Sequence, residues 1–192
     1  MTSARRPGNR AGLDRETVLA AARRLLDQGG ADALTMRALA RDLAVAPNAL
    51  YSHVADKDAL LDALLDDVLA GVTAARPGAA RPVSELRRLM LSTYEVLLAH
   101  PHLVPLLVTR RGARGPHAAR LGRETDDLLR RAGVAEPDVV PARTVLVVHT
   151  IGMAAFSAGP TDAVALTTGQ ASARTFADSL RWLLVGTTGV EP

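Results

Sequence analysis

A short polar stretch, Ala46–Asp58, concentrates the side chains with the most chemical capacity in this sequence. It contains the amide of Asn48, the phenol of Tyr51, the imidazole of His53 and Lys57, the single lysine among 23 basic residues. An amide can donate to and accept from the edges of nucleic-acid bases, and the other three groups can bind phosphate oxygens. This combination suits binding of a double-stranded nucleic acid.

Two short helices joined by a turn are predicted to position these side chains. Thr35 caps the first helix, and Pro47 begins the second, over Ala46–Val54, because proline fits only the first turn of a helix. Their apolar residues can form one small core with a preceding helix that Asp14 caps and Gly29-Gly30 ends. These core residues are Leu39, Leu43, Val45, Leu50 and Val54. The pattern predicts a helix-turn-helix whose short second helix fits the major groove.

The exposed face of this motif carries the candidate DNA-binding residues. Asn48 can read base edges, and Arg37 can reach a guanine or a phosphate. Tyr51, His53 and Lys57 can bind the phosphate backbone beside the N-terminus of the next helix. Each of these side chains is also common on ordinary protein surfaces, so their spacing alone supports DNA binding only in part.

At these residues the sequence resembles the TetR family of transcription regulators. The segment "GGADALTMRALARDLAVAPNALYSHVADKDALLDALL" (Gly29–Leu65) follows that family's N-terminal pattern almost without gaps, within a match over roughly Asp14–Leu69. The resemblance implies a three-helix DNA-binding domain with the following positions near base edges or phosphates: Thr35, Arg37, Ala46, Pro47, Asn48, Ala49, Tyr51, His53 and Lys57. Ala46, Pro47 and Ser52 are smaller than the corresponding residues of the family's namesake, so a different operator sequence is expected.

Helical periodicity continues through the rest of the chain, and no stretch alternates as a strand would. The clearest break is "ARPGAARP" at Ala75–Pro82. Helices are predicted over Asp56–Val72, Ser84–His100, Leu103–Arg110, His117–Arg131, Pro137–Phe156 and Ser172–Leu184, with a loop over Gly159–Gly169. The fold is therefore predicted to be all-α with about nine helices. Residues 11–58 form a DNA-binding domain, residues 59–192 a ligand-binding and dimerisation domain, and helix 56–72 bridges the two.

The C-terminal domain is predicted to dimerise and to bind a small molecule. Val139–Gly159 is apolar nearly all round, and the last helix adds Phe176 and Trp182, which predicts a four-helix bundle with a second chain. The family resemblance implies the same dimer and a small-molecule pocket. Candidate pocket residues are Met90, Tyr94, Leu97, Leu106, Thr109, His149, Met153 and Phe156, any of which could instead be plain core. Since charges are few among them, an apolar or weakly polar effector is expected.

Other classes of function find little support in the sequence. There is no cysteine, glycine-rich phosphate loop, Glu-x-x-His pair or Ser–His–acid set, so an enzyme on an α-bundle is disfavoured and no cofactor is predicted. His100 and His102 lack a third metal ligand nearby, and Leu106 stands where the family's magnesium-binding histidine would be. The apolar stretch Thr144–Ala158 is interpreted as too short and interrupted to span a bilayer, which predicts a soluble, cytoplasmic protein.

Together these features predict a homodimeric, ligand-responsive repressor on a palindromic operator. A basic arm of Arg5, Arg6 and Arg10 is expected to assist phosphate contact. Ligand binding would shift the helix Asp56–Val72 and so change the separation of the two recognition helices. An effector-independent architectural DNA-binding protein is the main alternative.

Overall fold

The computed structural model describes residues 13–158 and 173–192, which form nine α-helices, one 3-10 turn and no strand. The helices are α1 Arg15–Ala33, α2 Met36–Asp42, α3 Pro47–Leu50, α4 Lys57–Leu69, α5 Pro82–Ala99, α6 Val104–Thr109, α7 Pro116–Arg131, α8 Glu136–Ala158 and α9 Ala173–Thr188. The 3-10 turn is Pro101–Leu103. The all-α prediction is confirmed. The predicted basic arm, the predicted loop Gly159–Gly169 and the predicted helix start at Ser172 lie outside the described residues.

The chain divides into two compact units. The N-terminal unit ends at Leu64 and the C-terminal unit begins at Leu65, so α4 starts in the first and finishes in the second. The division falls six residues beyond the boundary predicted at residue 58, and the assignment of domain functions stays a prediction.

Side-chain caps fix the helix starts of the N-terminal unit, as the sequence predicts. A carboxylate oxygen of Asp14 accepts a hydrogen bond from the Thr17 amide at 2.7 Å, and the Thr35 hydroxyl oxygen accepts one from Ala38 at 3.0 Å. A carboxylate oxygen of Asp56 accepts a hydrogen bond from the Ala59 amide at 2.7 Å. Each bond satisfies an amide that the first turn of a helix leaves without a partner.

Several helix ends differ from the prediction. Gly30 has φ 66° and interrupts α1 where the sequence predicts its end, but a further helical turn continues to Ala33. The predicted helix over Ala46–Val54 is shorter, because the Leu50 carbonyl accepts from both the His53 and Val54 amides and closes the chain into a turn. The other bounds move by a few residues: α4 ends at Leu69, α5 begins at Pro82, α7 begins at Pro116 and α9 extends to Thr188.

The core of the N-terminal unit consists of the predicted apolar faces. Leu39, Leu50 and Val54 are buried as predicted, whereas Leu43 and Val45 are only half-buried. An ion pair of 2.7 Å between Arg24 and Asp42 joins α1 to α2 at the surface. Burial of Leu50 explains how a four-residue helix persists, since so short a helix has little stability of its own.

In the C-terminal unit, α5 and α8 pack against each other and against α7 and α9. The rings of Tyr94 on α5 and Phe176 on α9 are stacked with their centres 4.2 Å apart. Both side chains are fully buried. This contact holds α9 against the centre of the unit.

A buried carboxylate, Glu85, fastens the segment that connects α4 to α5. It accepts hydrogen bonds from the Arg88 guanidinium at 2.7 Å and from the Arg76 amide at 3.1 Å. The hydrogen bond from Arg88 is the main reason why the pKa of Glu85 lies below its ordinary value of 4.5.

We expect Glu85→Gln to lower the melting temperature at pH 7 and to have much less effect at pH 3. A carboxylate with a depressed pKa stabilises the folded protein above its unfolded-state pKa and loses that contribution as the pH falls through the folded pKa. Thermal melts monitored by circular dichroism at both pH values measure this. Glu95→Gln, an exposed glutamate on the same helix, is the control. An equal loss at both pH values would contradict the assignment.

Candidate nucleic-acid interface and ligand cavity

Most of the predicted DNA-binding residues are accessible on the N-terminal unit. Thr35, Arg37, Ala46, Pro47, Asn48, Tyr51, Ser52 and Lys57 are exposed, while Ala49 and His53 are half-buried. The phenol ring of Tyr51 is unusually accessible for an aromatic side chain, with 51% of the residue exposed. The buried Leu50 therefore holds α3 in place while the polar side chains on either side of it face solvent.

Some of these residues also have local structural roles. The Ser52 hydroxyl donates to the Ala49 carbonyl at 2.7 Å, and the Thr35 hydroxyl oxygen caps α2. The Lys57 ammonium lies 3.5 Å from the Ala31 carbonyl, which holds it beside the start of α4. Asn48 and Arg37 are the exposed residues best suited to base contacts, because both carry side-chain donors in a geometry that matches base edges.

The turn between α2 and α3 is set by a feature that sequence reasoning missed. Ala44 adopts the left-handed conformation with φ 51°, which is uncommon for a residue with a Cβ atom. The Val45 amide donates to the Ala40 carbonyl at 3.0 Å and the Ala44 amide to Arg41 at 3.1 Å. These two bonds form a Schellman motif, which normally has glycine at the position of Ala44. Without that glycine, the sequence predicts the turn but gives no local signal for its left-handed residue.

The C-terminal unit contains a cavity of about 560 Å³ between α5, α7 and α8. Its wall is mainly apolar, as in most small-molecule sites, and its volume lies within their usual range. The apolar lining includes Leu89, Met90, Leu97, Leu107, Val147 and Ile151, and the polar lining is Thr93, Thr125, Thr150, Arg114, Arg123 and Arg143. A small organic molecule fits this space.

Of the eight predicted ligand-binding residues, two line this cavity: Met90 and Leu97. The others lie elsewhere in the C-terminal unit. The Tyr94 ring packs against Phe176 on α9, and its hydroxyl lies 2.8 Å from that of Ser157 on α8. His149 bonds the Ser179 hydroxyl at 2.9 Å. Phe156 is 71% exposed. Leu106, Thr109 and Met153 are also absent from the wall.

The polar wall of the cavity was not anticipated from the sequence. Its three threonines each donate their hydroxyl proton to the carbonyl four residues earlier in the same helix: Thr93 to Leu89, Thr125 to Leu121 and Thr150 to Leu146. Such internal bonds allow a threonine to lie on an apolar face at little cost. The sequence signal for such a polar wall would therefore have been a threonine at an apolar-face position of a helix.

One buried carboxylate connects a wall of the cavity to α4. Asp66 accepts hydrogen bonds from the Ala118 amide at 2.8 Å and the His117 amide at 3.3 Å, and so caps α7 from another helix. The close approach is possible because Gly115, with φ 138°, has no side chain. A movement of α7 would therefore act directly on α4.

The apolar helix α8 is longer than the stretch Thr144–Ala158, which the sequence suggested was too short to span a bilayer. Over Glu136–Ser157 it has 22 residues and a mean hydropathy of 1.6, so by length and composition alone it could cross a membrane. However, α8 packs against α5, α6, α7 and α9, as a core helix of a folded unit does. Only 28% of its apolar window is buried within one chain. Large apolar residues remain exposed on α8 and α9: Val140, Val145, Val148, Phe156 and Trp182.

Within residues 13–158 and 173–192, no three histidine, aspartate or glutamate side chains come together as a set of metal ligands. His100 and His102, for which the sequence offers no third metal ligand, flank Pro101 at the start of the 3-10 turn. The described residues offer two candidate sites, the cavity of the C-terminal unit and the exposed face of α3.

Comparison with known proteins identifies relatives of both parts of the chain. The family model for bacterial regulatory proteins of the tetR family matches residues 18–64. An HTH-type transcriptional regulator from Saccharopolyspora erythraea is 33% identical over 140 residues, which cover 73% of this chain and 59% of the relative. Tetracycline repressor protein class D from Escherichia coli is 50% identical over 58 residues, covering 30% of this chain and 27% of the repressor.

The chain thus spans less than two thirds of the length of these curated relatives. Over most of the chain the fold is similar to that in a crystal structure of BioQ with its natural double-stranded DNA operator. That structure has a TM-score of 0.74 and 25% identity, covering 93% of this chain and 100% of the other.

Proposed function

The chain belongs to the TetR family of bacterial transcription regulators, and we propose that it is a ligand-responsive repressor that binds DNA as a homodimer. The observation that carries the proposal is the short helix α3, which Leu50 anchors while Asn48 and Tyr51 remain exposed. This helix lies inside the segment that matches the family model. The operator-bound state of the similar BioQ structure supports the same role for this chain.

In the proposed complex, α3 enters the major groove and the residues around it hold the phosphates. Asn48 and Arg37 read base edges, and the small side chains of Ala46, Pro47 and Ala49 allow close approach or contact thymine methyl groups. Tyr51, His53 and Lys57 bind phosphates, with Thr35 and Ser52 at the edge of the interface. Since its partner is genomic DNA, the protein acts in the cytoplasm.

The proposed dimer forms through α8 and α9. Their exposed apolar residues would otherwise face water, and such a patch is typical of an interaction surface. A two-fold dimer presents two copies of α3, which suits a palindromic operator with half-sites one helical turn, or a multiple of it, apart.

A ligand in the cavity is proposed to release DNA through α7 and α4. The ligand would bind the DNA-incompetent state more tightly and so shift the population toward it. Because Asp66 caps α7, a displacement of α7 is passed to α4, which begins at Lys57 among the candidate phosphate contacts.

Selection of bound DNA from a random pool by the purified protein tests this function. The expected result is a palindromic sequence, bound specifically at physiological salt. Binding that ignores sequence would instead indicate the architectural alternative. A selected sequence also points to the genes controlled in the source genome.

Two variants test the proposed DNA contacts by fluorescence anisotropy on the selected operator. Asn48→Ala is expected to weaken binding by roughly 1–3 kcal/mol and to relax specificity at one base pair, because a base contact is lost. Lys57→Gln is expected to weaken binding to all sequences and to reduce the salt dependence by about one phosphate contact. Arg130→Gln on α7 is the control for loss of charge. Unchanged affinity in both variants would refute the proposed interface.

A further inference from the structure

The charged residues that line the cavity of the C-terminal unit are all arginines. Arg114 precedes α7, Arg123 lies on α7 and Arg143 lies on α8, and the lining described contains no aspartate or glutamate. Three guanidinium groups border a mainly apolar space, and the low polarity of the wall strengthens the attraction between a guanidinium and an anion.

Arg143 is the most deeply placed of the three, with 31% of its side chain exposed. One of its terminal nitrogens donates to a carboxylate oxygen of Asp126 at 2.5 Å, and this ion pair holds the guanidinium against α7. The guanidinium lies directly beside α7, because a Cβ atom at Gly122 would be in ordinary van der Waals contact with the same nitrogen, at 3.6 Å. A guanidinium has five N–H donors, so the bond to Asp126 leaves others for a ligand.

Arg114 and Arg123 are exposed as well as lining the cavity, which places them where it meets solvent. The Arg114 guanidinium donates to the Arg110 carbonyl at 3.3 Å, which restricts its position. The threonine hydroxyls of the wall donate their protons to their own helices. Among the lining side chains, the arginines are therefore the main donors for a ligand.

We propose that the effector of this protein is an organic anion. Its apolar part fills the space between α5, α7 and α8, and its carboxylate binds Arg143, with Arg123 and Arg114 at the entrance. This inference rests on the proposed ligand-responsive function and names the class of ligand. It revises the expectation of an apolar or weakly polar effector, which arose because none of the residues predicted from the sequence to line the pocket is charged.

Three probes that share one aromatic body test the charge preference: naphthoate, naphthamide and naphthylmethylammonium. Binding to the full-length protein is measured by isothermal titration calorimetry. Naphthoate is expected to bind roughly 10- to 100-fold more tightly than naphthamide, because a charge-assisted hydrogen bond is stronger than a neutral one. The cation is expected to bind most weakly.

Variants of the cavity arginines then test which residues cause the preference for the anion. Arg143→Gln and Arg123→Gln are each expected to reduce naphthoate affinity about tenfold or more and to leave naphthamide affinity unchanged. If Arg143→Gln does not fold, the double variant Arg143→Gln with Asp126→Asn is used instead. It removes both charges of the ion pair, so no carboxylate is left without a partner, and the same loss of naphthoate affinity is expected. Arg130→Gln is the matched control, since Arg130 also pairs with a carboxylate, that of Glu136 at 2.7 Å, but does not line the cavity.

The possible outcomes separate this inference from the proposed function. Equal binding of naphthoate and naphthamide, or no binding of naphthoate at millimolar concentration, overturns the inference. Release of operator DNA by naphthamide as readily as by naphthoate also overturns it, while the ligand-responsive function survives. Arginine-dependent binding of naphthoate without any release of DNA supports the anion site and contradicts the proposed mode of regulation.

Discussion

Replacement of Trp182 by glutamate is expected to make the protein monomeric and to weaken operator binding by about 100-fold or more. Trp182 lies on α9 and is 65% exposed in a single chain. Val148 on α8 is similarly accessible, at 63%. A large aromatic residue at the centre of an apolar interface contributes strongly to association, and burial of an unpaired carboxylate there is costly. A monomer also loses the second half-site contact, which the dimer makes at high effective concentration.

Sedimentation velocity measures the oligomeric state in this experiment, and fluorescence anisotropy measures operator affinity. Val108→Glu is the matched control, because it also replaces an exposed apolar side chain with a carboxylate but lies on α6, outside the set of exposed apolar residues on α8 and α9. A dimeric Trp182→Glu protein, or a monomeric wild type, would show that α8 and α9 do not form the dimer interface.

Replacement of Gly115 by alanine is expected to destabilise the C-terminal unit by about 3 kcal/mol. Gly115 has φ 138°, a conformation that strains any residue with a Cβ atom, and such an atom would lie 2.6 Å from both carboxylate oxygens of Asp66. The substitution therefore adds backbone strain and also displaces the buried carboxylate from the amides of His117 and Ala118.

Urea denaturation monitored by circular dichroism measures this loss. Gly112→Ala is a close control, because its φ of 106° imposes a similar strain while nothing lies within 4 Å of the added methyl group. The difference between the two variants isolates the contact with Asp66. Equal destabilisation by both substitutions would mean that the Asp66 carboxylate moves aside freely and does not tie α7 to α4.

The helix starts of the N-terminal unit were predictable because they depend on contacts a few residues apart. Asp14, Thr35 and Asp56 each cap an amide three residues later, and Pro47 begins α3 through its own ring geometry. Even there, the left-handed turn at Ala44 escaped prediction. It has no glycine, and two backbone hydrogen bonds, from the amides of Ala44 and Val45, close it instead.

The residues that line the cavity could not all be predicted from patterns within single helices. Met90 and Leu97 on α5 line the cavity, but Tyr94 on the same apolar face packs against Phe176. The rotation of α5 between α7 and α9 decides which side of its apolar face borders the cavity. No pattern within α5 specifies that rotation.

The sequence by itself determined the all-α class, the helix-turn-helix segment and the capped starts of its helices, because short-range hydrogen bonds and apolar periodicity specify them. Only the tertiary structure decided which side chains share the cavity and how α7 is joined to α4. Asp66 and Ala118 are 52 residues apart in the chain, and Arg143 and Asp126 are 17 apart. Such pairs meet because whole helices pack against one another, and that packing depends on every apolar face of the unit at once.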